Sequence, residues 1–294
     1  MNRRRGVELK SRRELDIMRE AGKINAMALL AALRAAGEGM TTEVVNQAAA
    51  EVLEAHHATP AFVGVPGAYP FPAVTTISIN DELVHGIPGP RKLRDGDIVS
   101  IDCGTILDGF VADSAITIGI GNVSDEAQRL MQATEESLFA GIEAMRIGNR
   151  SGDISAAIQR VVETAGFNVV REYTGHGVGR SMHEDPQVPN YGKAGHGVQL
   201  RKGLTIALEP MVLAGDFHTR IKEDQWTVAS ADGRLTAHFE HSIAVTEDGP
   251  EILTVLADLK SLDAEEKVRY NYYFAGLIES AAIEESEQSK ELGS

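Results

Sequence analysis

Two hydrophobic rhythms alternate along this chain. From Ser11 onward apolar residues recur at helical spacing, through Leu15, Met18, Ala21, Ile24 and then Ala28 or Leu29. Ser11, with Glu14 three residues on, makes a capping box, so a helix is expected from Ser11 to about Ala36, ended by Gly37 and Gly39. Thr41 or Thr42 caps a second helix reaching about Ala55, with Val44, Val45, Ala48 and Val52 on its apolar side. From Pro60 to Pro72, Pro and Gly interrupt every period, and the stretch reads as a functional loop. Period-two runs follow. Val74 to Asn80 is a strand that leads to His85, set before Gly86 and Pro88. Ile98 to Thr105 and Phe110 to Ile118 are β-branched strands, and Asp108-Gly109 between them is a strong hairpin signal.

The pattern then begins again. Ser124, with Asp125 and Glu126 behind it, starts a helix to about Arg146 that Gly148 stops. Ser151 is expected to cap another to about Ala165, with Ile154, Ala157, Ile158 and Val161 inward. Tyr173 to Gly179 (YTGHGVG) reads as a Gly-rich loop presenting His176, and Leu204 to Pro210 as a strand closing on Glu209. Trp226 to Val228 and Thr236 to Val245 read as a second hairpin, with Glu240 in a strand interior. Helix, glycine stop, hydroxyl cap, helix and sheet thus occur twice. That repetition suggests an α+β domain built from two pseudo-symmetric halves, each a helix pair with an antiparallel sheet. Beyond Leu256 the chain changes character, with nine acidic residues against four basic ones. An amphipathic helix is expected from Val268 to Ile278 and disorder from about Glu284. The expected organisation is therefore a main domain over 1–256 and an acidic C-terminal extension over 257–294.

Composition narrows the class. A net charge of −15 argues against nucleic acid as a direct partner. The basic start is followed by charges and not by an apolar core, so no secretory signal is expected, and no apolar run approaches membrane-spanning length. The single cysteine, Cys103, excludes an internal disulfide and fits a reducing compartment, so a soluble cytoplasmic protein is expected.

The chemistry lies in polar residues inside apolar β contexts. Asp102 and Asp113 share one face of the hairpin whether its loop is Leu107-Asp108, which sets them opposite, or Asp108-Gly109, which sets them diagonally. Like charges so placed call for a cation between them. With His176, Glu209 and Glu240 they form a set of four carboxylates and one imidazole, whose charge suits two divalent ions. Oxygen-rich ligation with one nitrogen favours Mn, Fe, Co or Zn over Mg or Ca. The chain carries no CxxC, P-loop or GxSxG motif.

These residues stand in ISINDELVHGIPGPRKLRDGDIVSIDCGTILDGFVADSA, GHGVGRSMHEDPQVPNYG, GLTIALEPM, DQWTV and EHSIAVTEDGPEILT. Together the stretches resemble the bacterial-type methionine aminopeptidases of the pita-bread metallopeptidases, collinearly from about Val7 to Thr254. The resemblance implies the pita-bread fold around a dinuclear metal site. It implies that Asp113 and Glu240 bridge the ions, that Asp102 chelates one, and that His176 and Glu209 hold the other. Glu209 would also shuttle the proton to the leaving amine. His183 would steady the tetrahedral intermediate and His85 would contact the scissile amide or the oxyanion. The implied activity is removal of initiator methionine when the second residue is small. Nascent peptide N-termini are the implied partners, with the ribosome a further candidate, and a monomer is expected.

The pocket for the first side chain departs from the family pattern. Trp226 is in place, but Met182 stands where an aromatic residue is frequent, and Phe62 and Thr76 where cysteines are. The loop from Val63 to Pro72 is longer than in compact relatives, so Tyr69 or Phe71 is expected at the rim, and His238 replaces a common glutamine. Met182, Phe62 and Trp226 would still form an unbranched, thioether-sized apolar pocket. Alternatives are an Xaa-Pro aminopeptidase or dipeptidase, which usually carries an extra N-terminal domain, and a non-catalytic peptide-binding protein on the same fold. A phosphoesterase lacks a nearby Arg or Lys cluster.

Overall fold

The computed structural model describes residues 6–256, 262–263 and 273. In chain order the elements are α1 (Arg12–Ala35), α2 (Thr42–Ala55), β1 (Thr59–Pro60), β2 (Thr75–Ile79), β3 (Glu82–Val84), β4 (Ile98–Leu107), β5 (Phe110–Gly119), α3 (Asp125–Glu143) and α4 (Ser151–Thr164). There follow β6 (Asn168–Val169), β7 (Thr174–Gly177), β8 (Glu184–Pro189), β9 (Thr205–Leu208), β10 (Met211–Leu213), β11 (Thr219–Ile221), β12 (Val228–Ser230), β13 (Thr236–His238), β14 (His241–Thr246) and β15 (Gly249–Ile252). One compact unit runs to Thr254 and a second begins at Val255. The helix expected from Val268 to Ile278 lies, apart from Tyr273, outside the described residues, as does the tail beyond Glu284.

Local chemistry sets the helix starts. Ser11 and Glu14 close the capping box, with the Ser11 N–H donating to Glu14 at 2.8 Å. The Thr41 and Ser124 hydroxyls accept from the N–H groups of Val44 and Ala127. Ser151 does not cap α4. The cap position is Arg150, whose N–H donates to Asp153 at 2.7 Å, and Ser151 is already helical, its hydroxyl accepting the Val198 N–H at 3.0 Å. Two inward faces also sit slightly out of phase with expectation. On α2 the buried stripe is Thr42, Val45, Ala49 and Leu53, with Val44 exposed; of two adjacent valines, packing against α1 and β2 selects the second. On α4, Val162 is buried and Val161 only partly.

Asp108 and Gly109 both have positive φ, 47° and 77°, the geometry of a type I′ turn, and Leu107 pairs with Phe110. The loop is therefore Asp108-Gly109. Strand β4 takes β5 on one edge and β2 and β1 on the other. A second antiparallel sheet runs β15-β14-β9-β7-β8. In the first helix pair α1 packs on β4 and β5 and α2 on β1 and β2; in the second α3 reaches β9, β10 and β13 and α4 reaches β6 and β8, which is the expected α+β arrangement of two helix-pair-plus-sheet halves. The halves are sewn together where Ala115 and Glu240 exchange backbone hydrogen bonds of 2.8 and 3.2 Å. One more stitch is the Ser242 hydroxyl, which accepts the Asp113 N–H and donates to the Asp113 carbonyl at 2.9 and 3.0 Å.

Two strand expectations are corrected. His176 lies on β7 and not in a loop. The stretches from Trp226 and from Thr236 do not form a hairpin: β12 pairs with β11 and β3, β13 with β10, and β14 with β9 and β15. The apolar run from Thr236 to Val245 breaks at Phe239, so Glu240 sits at the break between two strands that belong to different sheets.

Candidate metal centre

The type I′ register puts Asp102 opposite Ala115 and Asp113 opposite Gly104, so the two aspartates are diagonal neighbours on one face. Both are buried, and the charge of Asp113 acts directly on Asp102. Thr76 on β2 is the cross-strand partner of Asp102. Burial, then the charges of Asp113 and Glu209, hold the Asp102 carboxyl well above the usual carboxylate range. Burial pushes Asp113 up to about 7. Glu209 and Glu240 are raised in the same way, by burial and then by Asp113.

The second sheet brings the remaining donors. On β7, His176 holds its Nδ1 2.9 Å from the Gly177 carbonyl, which fixes the proton there and turns the Nε2 lone pair toward Glu209 Oε1, 3.3 Å away. Burial and the neighbouring His183 lower its pKa to about 4, so the ring is neutral at pH 7. Asp113, His176 and Glu240 present one ligand atom each within 4.8 Å of one another. The buried Asp102 Oδ1 and Asp113 Oδ1 have no hydrogen-bond partner among the described residues. Buried carboxylate oxygens without donors, a neutral imidazole with an inward lone pair and mutual repulsion are what a divalent-cation site requires. The donor set fits two such ions.

Sequence reasoning missed the supports. Asn190 donates to the Glu209 carbonyl at 3.0 Å and accepts the Met211 N–H at 2.7 Å, clamping the backbone on both sides of Pro210. Asn25, fully buried on α1, donates to the carbonyls of Cys103 and Ala112 behind the hairpin. Cys103 itself is buried, and burial beside Asp102 and Asp113 pushes its thiol well above the usual range. His238 has a larger part than a simple replacement suggests. It is 2% exposed, and its Nε2 lies 3.7 Å from Glu240 Oε2 and 4.0 Å from Glu209 Oε2 with no hydrogen-bond partner among the described residues. Burial, then His85, lowers its pKa to about 3. No local signal marks Asn190 or Asn25, whose side-chain partners are 19 to 89 residues away.

The remaining candidates gather beside this cluster. Val84 pairs with Val228, so the ends of β3 and β12 carry His85 and Trp226 to one place, with ring centroids 6.5 Å apart. His85 is held at φ 62° and is lowered to about 4 by burial and by His183. The His183 ring lies 4.4 Å from His176 and is more open to solvent. Phe62 and Met182 meet over Gly104: a Cβ there would lie 2.9 Å from Phe62 and 3.0 Å from Met182. Phe71 is buried and joins Phe62 to Trp226, with edge contacts of 6.5 and 5.1 Å, so it is wall and not rim. Tyr69 is 41% exposed, and its hydroxyl donates to the Asp224 carbonyl at the rim. Thr76 stands beside Asp102, apart from these aromatic contacts. Cavities of about 440 and 700 Å³ elsewhere include none of these residues.

A buried carboxylate and imidazole cluster with room for cations, set between two helix-backed antiparallel sheets, defines a metal-dependent hydrolase. The model of metallopeptidase family M24 matches residues 16–247, and the chain belongs to that family. Among its relatives, the methionine aminopeptidase of Clostridium perfringens is 48% identical over 250 residues, covering 85% of this chain and 99% of that protein. Methionine aminopeptidase 1 of Bacillus subtilis is 47% identical, covering 83% and 98%. The crystal structure of methionine aminopeptidase from Thermotoga maritima superposes with a TM-score of 0.82 at 44% identity, covering 85% and 99%. The prolidase of Pyrococcus horikoshii, at 22% identity and a TM-score of 0.65, shares the fold.

Proposed function

We propose that this chain is a methionine aminopeptidase, a metal-dependent hydrolase that removes the initiator methionine from new proteins when the second residue is small. The observation that carries the reading is the convergence of Asp113, His176 and Glu240 on one buried point, with Asp102 against Asp113 and Glu209 against His176. In this reading Asp102, Asp113, His176, Glu209 and Glu240 would hold two divalent ions between them. Bound there, the ions supply Lewis acidity for the scissile carbonyl and lower the pKa of a water molecule. Co, Mn, Fe and Zn all suit the donor set.

The protein's own groups do the rest. Glu209, whose carboxyl is held high by burial, accepts a proton from the attacking water and returns it to the leaving amine. His85 and His183 are both shifted toward the neutral form, so at pH 7 each offers an uncharged N–H to the amide and to the developing oxyanion. Phe62, Met182 and Trp226 wall an apolar pocket for an unbranched side chain, with Thr76 at its Asp102 end.

Partner and place follow the substrate. The reading sets a monomeric enzyme in the cytoplasm, working on nascent N-termini at the ribosome. Among the described residues no helix is long and apolar enough to cross a membrane. We assign 1–256 to the catalytic domain and 257–294 to an acidic extension outside it.

The test is hydrolysis of Met-Ala-Ser beside Leu-, Gly- and Xaa-Pro peptides by metal-reconstituted protein, with and without chelator. Chelator-sensitive release of methionine is expected. Release from Xaa-Pro peptides alone would move the assignment to that specificity, and no release despite bound metal would move it to peptide binding. Glu209→Gln should remove turnover by at least about 10²-fold with the fold intact.

A further inference from the structure

Lys10 is a buried cation that the mechanism above does not use. It precedes α1, and its side chain is 4% exposed. One glycine fits against its backbone and another against the end of its side chain. The Lys10 N–H donates to the Gly203 carbonyl at 2.7 Å, and a Cβ on Gly203 would lie 2.5 Å from the Lys10 carbonyl oxygen. A Cβ on Gly179 would lie 2.3 Å from Lys10 Cε. The ammonium meets the carboxylate of Glu184, itself 8% exposed, and donates to the Glu8 carbonyl at 3.3 Å.

Glu184 is the residue after His183. Its other oxygen accepts the Ser181 N–H at 3.2 Å, closing a tight turn over 181–184 that carries Met182 and His183. In the strand register Glu184 faces Gly177, next to His176, and the His183 ring packs 4.4 Å from that of His176. Burying an ion pair is a poor way to gain stability compared with apolar residues of the same volume, so its use here points to position. Without the ammonium, the Glu184 carboxylate would be left buried beside an apolar stem and would turn toward water, and the turn would go with it.

We infer that Lys10 is a positioning residue: its ion pair with Glu184 holds the 181–184 turn so that His183 and Met182 face the carboxylate cluster. The inference rests on the aminopeptidase reading, because it acts through His183.

The test compares wild type, Lys10→Met, Glu184→Gln, the paired variant Lys10→Met/Glu184→Met and His183→Ala, with Lys10→Met also placed in the His183→Ala background. Each is measured for melting temperature and for kcat and KM on Met-Ala-Ser. Lys10→Met and Glu184→Gln should lower kcat/KM by about 10- to 100-fold, the scale of a small misplacement of a catalytic group. In the His183→Ala background, Lys10→Met should change kcat by less than about threefold, because the group it positions is gone. The paired variant should recover the melting temperature but not kcat. Equal losses in both backgrounds would overturn the inference. So would a paired variant restored in both stability and kcat, or variants that fail to fold, since each gives the pair a purely structural part. Absence of methionine release by the wild-type protein would instead refute the aminopeptidase reading, before any variant is compared.

Discussion

Gly104 faces Asp113 across the β4–β5 hairpin, and the space its missing side chain leaves is where Phe62 and Met182 enter. The hairpin that carries Asp102 and Asp113 and the proposed side-chain pocket therefore share a wall one residue thick. A Cβ at Gly104 would sit 2.9 Å from the Ala61 Cβ as well, and that atom has no rotamer by which to retreat. Gly104→Ala is expected to lower stability by about 1–3 kcal/mol through overpacking. It should raise KM for Met-Ala-Ser by more than it weakens metal binding, which peptide kinetics and calorimetric metal titration on the same variant would compare.

Metal binding should strengthen as pH rises. Without a cation, Asp113 titrates near 7 and Asp102, Glu209 and Glu240 are also raised, so the free site holds protons that ions must displace. A raised carboxylate costs the metal-free protein stability as pH climbs from the unfolded value toward the folded one, here from about 4 to about 7. His176, lowered to about 4, is already neutral and releases no proton. The gap in melting temperature between metal-loaded and chelated protein should thus widen from pH 5 to pH 7.5. A gap that narrows over that range would show that the carboxylates are not the ligands.

Trp226 touches Phe71 at 5.1 Å, Tyr69 at 6.4 Å and His85 at 6.5 Å, so it joins the rim loop, the pocket wall and a catalytic candidate. Trp226→Ala should raise KM for methionyl peptides about tenfold or more and flatten the preference between Met and Leu, since a hydrophobic pocket discriminates by only a few kcal/mol of fit. Competition between Met-Ala-Ser and Leu-Ala-Ser in one reaction reads this directly.

Asn190→Ala removes both hydrogen bonds that clamp the chain around Glu209 and Pro210, one of them to the buried Met211 N–H. Unsatisfied buried backbone groups cost about 1–3 kcal/mol each, so a loss of about 2–4 kcal/mol is expected in denaturant unfolding. Because Glu209 loses its backbone anchor, kcat should fall while KM stays near the wild-type value.

His238→Leu removes a buried imidazole whose Nε2 has no hydrogen-bond partner among the described residues. The chelated variant should melt no lower than chelated wild type, because no satisfied bond is broken. A drop of several degrees would mean that the ring supports Glu209 or Glu240 even without metal.

Much of this was legible from local chemistry. The capping box at Ser11, the hairpin signal at Asp108-Gly109 and the shared face of Asp102 and Asp113 follow from residues within a few positions of one another, while the choice between an opposite and a diagonal pair needed the strand register. The candidate cluster of Asp113, His176 and Glu240 could be picked out because polar residues in apolar strand contexts are conspicuous. What failed was long-range pairing. Nothing near Phe239 announces that β13 and β14 join different sheets, and nothing near Ser151 says its hydroxyl is claimed by Val198. His176 reads as a loop residue because its neighbours are glycines, yet Gly175 must approach the Ala207 carbonyl, and a Cβ there would lie 2.9 Å from it. The glycines serve strand packing, which periodicity does not reveal.

The seam between Ala115 and Glu240 bears on how the protein is made. Asp102 and Asp113 leave the ribosome early as a complete hairpin, while His176, Glu209 and Glu240 come only with the second half of the chain. A growing chain that stops short of Glu240 carries acidic residues facing one another and no full shell to hold ions between them. On the proposed ligand assignment, metal uptake would wait until the growing chain has passed Glu240.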